Sequence, residues 1–374
     1  MRAIYWLIIL LFQPFLICGQ KVDQEIENLM KQYRSIGLSA VVVKNNKIIY
    51  NKSFGFKNLE KQEPLAEKDV YRIASISKSF SATAILQLVS AKKISLNDDV
   101  SDLIGFAIRN PKFPEKPITL RMLLTHRSSL NDRQGYFNLD SINPNQSANW
   151  KNCYNDYPPD TRYQYCNFNY NIIGTIIERI SGQRFDQYIT HHILKPLGLY
   201  GGYCIDSLDS TRFTTLYEYD AASDSFVAAP EAYAPRREQI RNYKMGKSTP
   251  IFSPTGGMKM SATDLARYMM MHMNYGKGNG VRIIPKKYSK LMQQAISPPS
   301  GYGMAIMNLE NLVSGVQLTG HTGSAYGLYS AMFFNPKKKF GFVVITNSCK
   351  VDEAAAVNPL SKDCINILYN HFIK

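Results

Sequence analysis

Ser75 and Lys78 stand three residues apart in the string Ser75-Ile76-Ser77-Lys78. On a helix, residues so spaced share a face, which puts Lys78 one turn above Ser75. A serine hydroxyl is a poor nucleophile until a base removes its proton. A partly desolvated lysine can be that base, because burial disfavours its charged form. The start of a helix also offers unpaired backbone N–H groups to a reacting carbonyl. The spacing alone does not decide the matter, since a capping serine followed by a surface lysine has the same form. The histidines offer no rival chemistry. His191 and His192 are adjacent and point to different helix faces, while His272 lies in a Met-rich stretch and reads as packed. No set of metal ligands emerges, and neither a metal nor a cofactor is expected.

The elements that must position these residues are legible on both sides of them. Gly37 to Val43 is apolar and β-branched, Asn45-Asn46 interrupts it, and Ile48 to Phe54 resumes with alternation, which is a hairpin signal. Near the other end, Tyr329 to Phe334 and Phe340 to Thr346 are two strand-like runs joined by a turn carrying Lys337-Lys338-Lys339. One sheet therefore draws strands from both ends of the chain. Helical patterns fill the middle. Ala84, Ile85, Leu88 and Val89 follow Ser75 at helical spacing, and Ile172 to Ile180 form a second stripe stopped by Gly182. Phe185, Tyr188, Ile189 and Ile193 make a third, expected to end before Pro196. Ser261 and Asp264 form a capping box for a helix through Met273, with Gly276 at its end. Residues 131–164 and 220–254 show no periodicity and read as long loops, which are usually functional or disordered. The expected fold is α/β (α+β): an antiparallel sheet flanked by helices, with an inserted, mainly helical domain. The division places the α/β domain in residues 20–90 plus 255–374 and the insertion in residues 91–254, with the active site between them.

The flanks of Ser75 sharpen its reading. Arg72-Ile73-Ala74-Ser75-Ile76-Ser77-Lys78-Ser79-Phe80 closely resembles the nucleophile segment of serine β-lactamases and penicillin-binding proteins. It is most similar to the group of class C β-lactamases, D-alanyl-D-alanine carboxypeptidases and related esterases. Three further segments follow in the same order. Ile118 to His126 looks like the segment before the family's active-site loop, although Arg127-Ser128-Ser129 lacks the family's glycine, and His126 reads as structural. Tyr165-Cys166-Asn167 is similar to the second motif. The resemblance makes Tyr165 the phenolic acid or base, its proton affinity lowered by Lys78. It makes Asn167 the residue that holds a substrate amide and orients Lys78, unless Asn167 only caps the following helix. Cys166 reads as a small neighbour facing away. His321-Thr322-Gly323 matches the third motif, where Gly323 lets backbone approach closely. By the same resemblance the N–H groups of Ser75 and Ser324 form the oxyanion hole. The resemblance covers about residues 30 to 372 and implies a β-lactamase/transpeptidase-like fold. It implies a serine hydrolase that forms an acyl-enzyme on D-alanyl peptides or small esters. The alternatives are a true class C-like β-lactamase or a non-turnover penicillin-binding sensor. Because His321 titrates near ~6.5 when unperturbed, where class C enzymes carry lysine, its charge is expected to be conditional, and peptides or esters are expected to be better substrates than cephalosporins.

Composition fits an exported globular enzyme. Of 374 residues, 45% are hydrophobic and 20% charged, which supports a large core and argues against disorder. Arg2 followed by the apolar run Ile4 to Ile17 reads as a signal peptide over residues 1–19, too short and interrupted to span a membrane. Export to the periplasm or the cell exterior is expected, with lipid anchoring at Cys18 as the minor alternative. Removing Arg2 from a net charge of +15 leaves 15 − 1 = +14, which favours anionic surroundings such as a cell wall or serves solubility alone. The basic residues are scattered, so no nucleic-acid partner is expected. The expected partner is a small-molecule or peptide substrate, cell-wall peptide among them. No later stretch is long and apolar enough to cross a membrane. Cys153, Cys166, Cys204, Cys349 and Cys364 form an odd set after the signal, with no C-x-x-C pair. At least one thiol is therefore free or pairs between molecules.

Overall fold

A computed structural model describes residues 20–297, 300–351 and 355–374. The expected signal peptide and Cys18 lie outside the described residues. Helix α1 (20–32) leads into a hairpin of strands β1 (Gly37–Lys44) and β2 (Lys47–Asn58), followed by β3 (Glu63–Pro64) and β4 (Tyr71–Arg72). Helix α2 (Ser77–Ser90) comes next, then α3 (Asn167–Ser181), the short strand β5 (Lys259–Met260) and α4 (Ala262–Met273). Strands β6 (Met307–Val313), β7 (Val316–Ala325), β8 (Leu328–Asn335) and β9 (Phe340–Thr346) precede the last helix, α5 (Pro359–Phe372). The main sheet has the order β6-β7-β8-β9-β1-β2-β3, every neighbouring pair antiparallel. The α/β fold with an antiparallel sheet built from both ends is thus observed.

Local chemistry explains the turns. Asn45 and Asn46 adopt φ of 52° and 62°, the left-handed pair a tight hairpin needs and Asn tolerates. Strand alternation then sorts the core. Leu38, Ala40 and Val42 pack with Phe342 and Val344 against α1 and α5, whereas Val41 and Val43 face the helical layer with Val343 and Ile345. Ser261 caps α4, its hydroxyl 3.0 Å from the Asp264 N–H and 3.0 Å from the Asp264 carboxylate. Gly182, at φ 69°, closes α3. The third helical stripe runs past its expected end. Phe185–Ile189 is α-helical, Thr190–Leu194 forms a π-turn, and Lys195–Leu197 continues through Pro196 to Gly198 at φ 66°. A wider π-turn absorbs the hydrogen bond that Pro196 cannot donate.

Residues 131–164 contain the 3₁₀ turns Leu139–Ile142 and Trp150–Cys153. In residues 220–254 the chain finishes a small hairpin, Tyr217–Asp220 with Ser225–Ala228, and then makes short turns. The five cysteines from Cys153 onward are buried free thiols. Among the described residues, no helix is long and apolar enough to cross a membrane.

Candidate active site

Strand β4 delivers the chain into a 3₁₀ turn, Ala74–Ile76, ahead of α2. Ala74 sits at φ 48°, a left-handed conformation that costs a non-glycine residue about 1–2 kcal/mol. Its surroundings impose it. The Ile73 N–H donates to the Met258 carbonyl at 2.9 Å, and the Ser330 hydroxyl donates to the Ile73 carbonyl at 2.9 Å. Behind the turn, Ser77 Oγ accepts the Met258 N–H at 3.0 Å. The bend leaves Ser75 half-buried at the mouth of the site. Strand β7 passes so close that a Cβ on Gly323 would stand 2.4 Å from the Ile73 carbonyl oxygen and 3.0 Å from the Ser75 nitrogen. Only glycine allows that approach. Ser324 follows on the exposed end of β7, opposite Tyr329, and Thr322 donates its hydroxyl to the Ala356 carbonyl at 3.3 Å.

Lys78 is fully buried on the first turn of α2. Its Nζ donates to Ser75 Oγ at 3.1 Å, to Asn167 Oδ1 at 2.8 Å and to the Thr255 carbonyl at 2.9 Å. Burial lowers its pKa from 10.5 to about 7, opposed by Asp132 and then Cys166. Asn167 does not cap α3; it is the first helical residue. Capping falls to Asp132, whose carboxylate accepts the N–H groups of Asn167 and Phe168 at 2.9 and 3.0 Å and the Asn167 side-chain amide at 3.0 Å. The Thr255 hydroxyl donates to Asn167 Oδ1 at 2.9 Å. Asn167 is therefore pinned from both sides, and its oxygen is presented to Lys78. Cys166 turns its thiol to Asp132 at 3.3 Å, and burial raises its pKa well above normal, so it is no nucleophile.

Aromatic rings enclose the ammonium. Lys78 Nζ lies 4.7 Å from the ring centre of Tyr165 and 5.8 Å from that of Tyr170. The Tyr165 ring reaches the cleft, but its hydroxyl is buried without a hydrogen bond among the described residues. Burial raises the pKa of this phenol, and the neighbouring Ser75 hydroxyl pulls it back in part. The expectation that Lys78 lowers the proton affinity of Tyr165 is not met, because desolvation dominates. His321 is 2% exposed, with Nε2 3.1 Å from the Tyr302 hydroxyl and Nδ1 against the Thr322 carbonyl. Its pKa falls to about 3, first by burial and then by Lys78. The conditional charge expected of His321 is thus also not met, and the imidazole is neutral near pH 7. His126, 4.3 Å from the Tyr165 ring centre, is likewise held well below its ordinary pKa by burial, and its Nδ1 accepts the Cys166 N–H at 3.1 Å, as a structural residue would. The glycine missing from Arg127-Ser128-Ser129 is replaced by strain: Ser129 stands at φ 65°. Its hydroxyl donates to the Tyr157 carbonyl at 2.7 Å and accepts from Asn110 at 2.8 Å.

Ser75, Lys78, Tyr165, Asn167, His321 and Gly323 thus converge from three distant segments. Sequence reasoning missed Asp132, Thr255 and Tyr302. Asp132 had no local signature; Thr255 precedes the Gly256-Gly257 pair and Tyr302 precedes Gly303, so the neighbouring glycines were the available signal.

Comparison with known proteins places the chain. A protein called flp from Staphylococcus aureus is 26% identical over 359 residues, 88% of this chain and 63% of that protein. The chain therefore spans less than two thirds of that relative's length. An octameric penicillin-binding protein homologue from Pyrococcus abyssi superposes with a TM-score of 0.74 at 25% identity, covering 94% of this chain and 77% of the other. EstCE1, described as a hydrolase with promiscuous acyltransferase activity, superposes with a TM-score of 0.73 at 20% identity, covering 94% of this chain and all (100%) of the other. The beta-lactamase family profile matches residues 22–363. The chain belongs to the beta-lactamase family.

Proposed function

We propose that this chain is an exported serine hydrolase that cleaves amide or ester bonds, in D-alanyl peptides or small esters, through an acyl-enzyme on Ser75. One observation carries the reading: Lys78 Nζ sits 3.1 Å from Ser75 Oγ with a pKa of about 7. That group is a base poised at neutral pH, at the distance a proton transfer requires. Neutral Lys78 takes the Ser75 proton as Oγ attacks the carbonyl carbon. The oxyanion falls to the N–H groups of Ser75 and Ser324. Tyr165, protonated and beside Ser75, gives its proton to the leaving group and takes back the proton Lys78 had acquired, and the neutral Lys78 amine then activates the water that frees the acyl group. Thr322 and Gly323 line the substrate's path beside Ser75, and Asn167 keeps Lys78 aimed.

Neutral His321 offers no charge to a substrate carboxylate, which favours small uncharged esters here over cephalosporins. The site falls between an α/β part, residues 20–90 plus 255–374, and an inserted part, residues 91–254. Export rests on the apolar leader, and N-terminal sequencing from the native host tests it; an intact Met1 on a cytoplasmic protein would contradict it. A panel of a D-Ala-D-Ala peptide, a short-chain nitrophenyl ester and a chromogenic cephalosporin tests the activity. Turnover of the cephalosporin alone would favour a true β-lactamase, and stable labelling of Ser75 without turnover would favour a sensor.

A further inference from the structure

A second concentration of charge lies on the strand pair that leads into the Ser75 turn and takes no part in the mechanism above. Strands β4 and β5 pair antiparallel with Arg72 directly opposite Lys259, so the two side chains share a face. Arg72 is 8% exposed and Lys259 6%. Arg72 donates to the carbonyls of Gly256 at 3.1 Å and Ala232 at 3.3 Å, and reaches Ser253 Oγ at 3.5 Å. Lys259 Nζ donates to the Tyr203 carbonyl at 2.9 Å, which uses one of its three N–H groups. Neither cation forms an ion pair with a carboxylate among the described residues. Asp206 is engaged by Arg237 Nε at 3.0 Å and the Arg236 N–H at 3.1 Å, and the exposed Glu231 also lines the cavity but forms no ion pair with either cation among the described residues. Like charges directly opposite across a ladder repel, and an uncompensated buried charge is costly. Burial first, then Arg72, drives the pKa of Lys259 well down.

The pair flanks a cavity of about 250 Å³, completed by Tyr203, Phe137, Arg236 and Tyr326. Tyr326 follows β7, and its ring centre lies 4.9 Å from the Arg72 guanidinium carbon. Arg72 itself is three residues before Ser75. The cavity is therefore tied to both strands that frame the nucleophile. Its volume is many times the ~30 Å³ share of one water, room for a small oxyacid group.

We propose that this cavity is an anion site in which Arg72 and Lys259 together hold one carboxylate or phosphate group beside Ser75. The anion supplies the carboxylate or phosphate countercharge that the two side chains lack among the described residues. Arg72, with five N–H donors, keeps two beyond its protein contacts. The group is either part of the substrate or a free small anion; only the first source rests on the proposed hydrolase.

Calorimetry on the full chain carrying Ser75→Ala separates the question from turnover. Glutarate, inorganic phosphate and the uncharged glutaramide are the probes. Binding of at least one anion without binding of glutaramide is expected. Lys259→Met should weaken that binding at least tenfold while leaving the fold intact, because it removes a repulsion. Absence of anion binding overturns the proposal, as does unchanged affinity in Lys259→Met. Arg236→Gln, at the rim, should weaken binding less than Lys259→Met; the reverse order also overturns it. Ester kinetics on the otherwise unmodified chain then identify the source. A kcat/KM for mono-4-nitrophenyl glutarate at least tenfold above that for 4-nitrophenyl valerate, lost in Lys259→Met, assigns the anion to the substrate. Equal values with calorimetric binding intact assign it to a free anion. Should the chain hydrolyse neither ester, the hydrolase reading fails while calorimetry still reports on the cavity.

Discussion

Replacing Lys78 by Met keeps most of the side-chain volume and removes the proposed base. With a pKa of about 7, roughly half the lysine is neutral at pH 7, against about one part in three thousand for an ordinary lysine. The wild-type kcat/KM for an ester should therefore rise roughly tenfold from pH 6 to pH 8 and level off above that. Lys78→Met should lower it by ~10²–10⁴, or about 2.7–5.4 kcal/mol of barrier, and abolish the acid limb. Stability gives an independent reading. The folded pKa lies below the unfolded one, so between about 7 and 10.5 the native state binds fewer protons than the unfolded state. Stability from this group rises with pH across that window, and below about 7 its penalty is complete. The wild type should thus gain on Lys78→Met by a few kcal/mol between pH 7 and 10, on the order of 1.4 kcal/mol per pH step. Urea unfolding of both proteins at several pH values measures the difference. A variant within tenfold of wild-type activity, a flat wild-type profile from pH 5 to 8, or parallel stability curves would refute the reasoning.

A fluorophosphonate should label Ser75, located by mass spectrometry, and an adduct on Ser77 or Cys166 would overturn the assignment. Tyr165→Phe should cost ~10²-fold or more in kcat without loss of thermal stability, because the buried hydroxyl has no partner among the described residues. Combined with Lys78→Met it should cost little beyond the single changes if the two move one proton; multiplicative losses would show independence. Asp132→Asn removes the charge that raises the Lys78 pKa, so the acid limb should move below pH 7 in a rate profile. Gly323→Ala would set a Cβ 2.4 Å from the Ile73 carbonyl oxygen, and denaturation should show a loss of about 1–3 kcal/mol together with loss of activity.

What was legible in the sequence was local. The Asn45-Asn46 turn, the Gly182 end of α3 and the Ser261 start of α4 announce themselves because φ > 0 and capping depend on adjacent residues. Ser75 and Lys78 share a helix face by spacing alone. Pro196 misled because a π-turn is set by packing, not by the residues it contains. The charge states were the least legible. His321 carries no mark of its burial, and its low pKa comes from rings and an ammonium contributed by segments far along the chain. Asp132 could not be found for the same reason: its partners Asn167 and Phe168 are supplied by a helix that begins more than a full loop later.

Burial and specificity are linked through this one cause. Desolvation lowers the Lys78 pKa to about 7, and the same desolvation neutralises His126 and His321 and keeps Tyr165 protonated. The pocket around Ser75 is therefore poor in fixed positive charge near pH 7. In the proposed mechanism a developing oxyanion there is stabilised by backbone dipoles and by the proton Lys78 acquires. A substrate carboxylate placed at His321 would meet no countercharge. Arg72 and Lys259, on the other side of the Ala74 bend, are also buried and form no ion pair with a carboxylate among the described residues. If the substrate bears an acidic group, electrostatics directs it to that side. Preference for an anionic substrate should then depend on Lys259 and be indifferent to His321, a division of labour opposite to one in which the third motif holds the carboxylate.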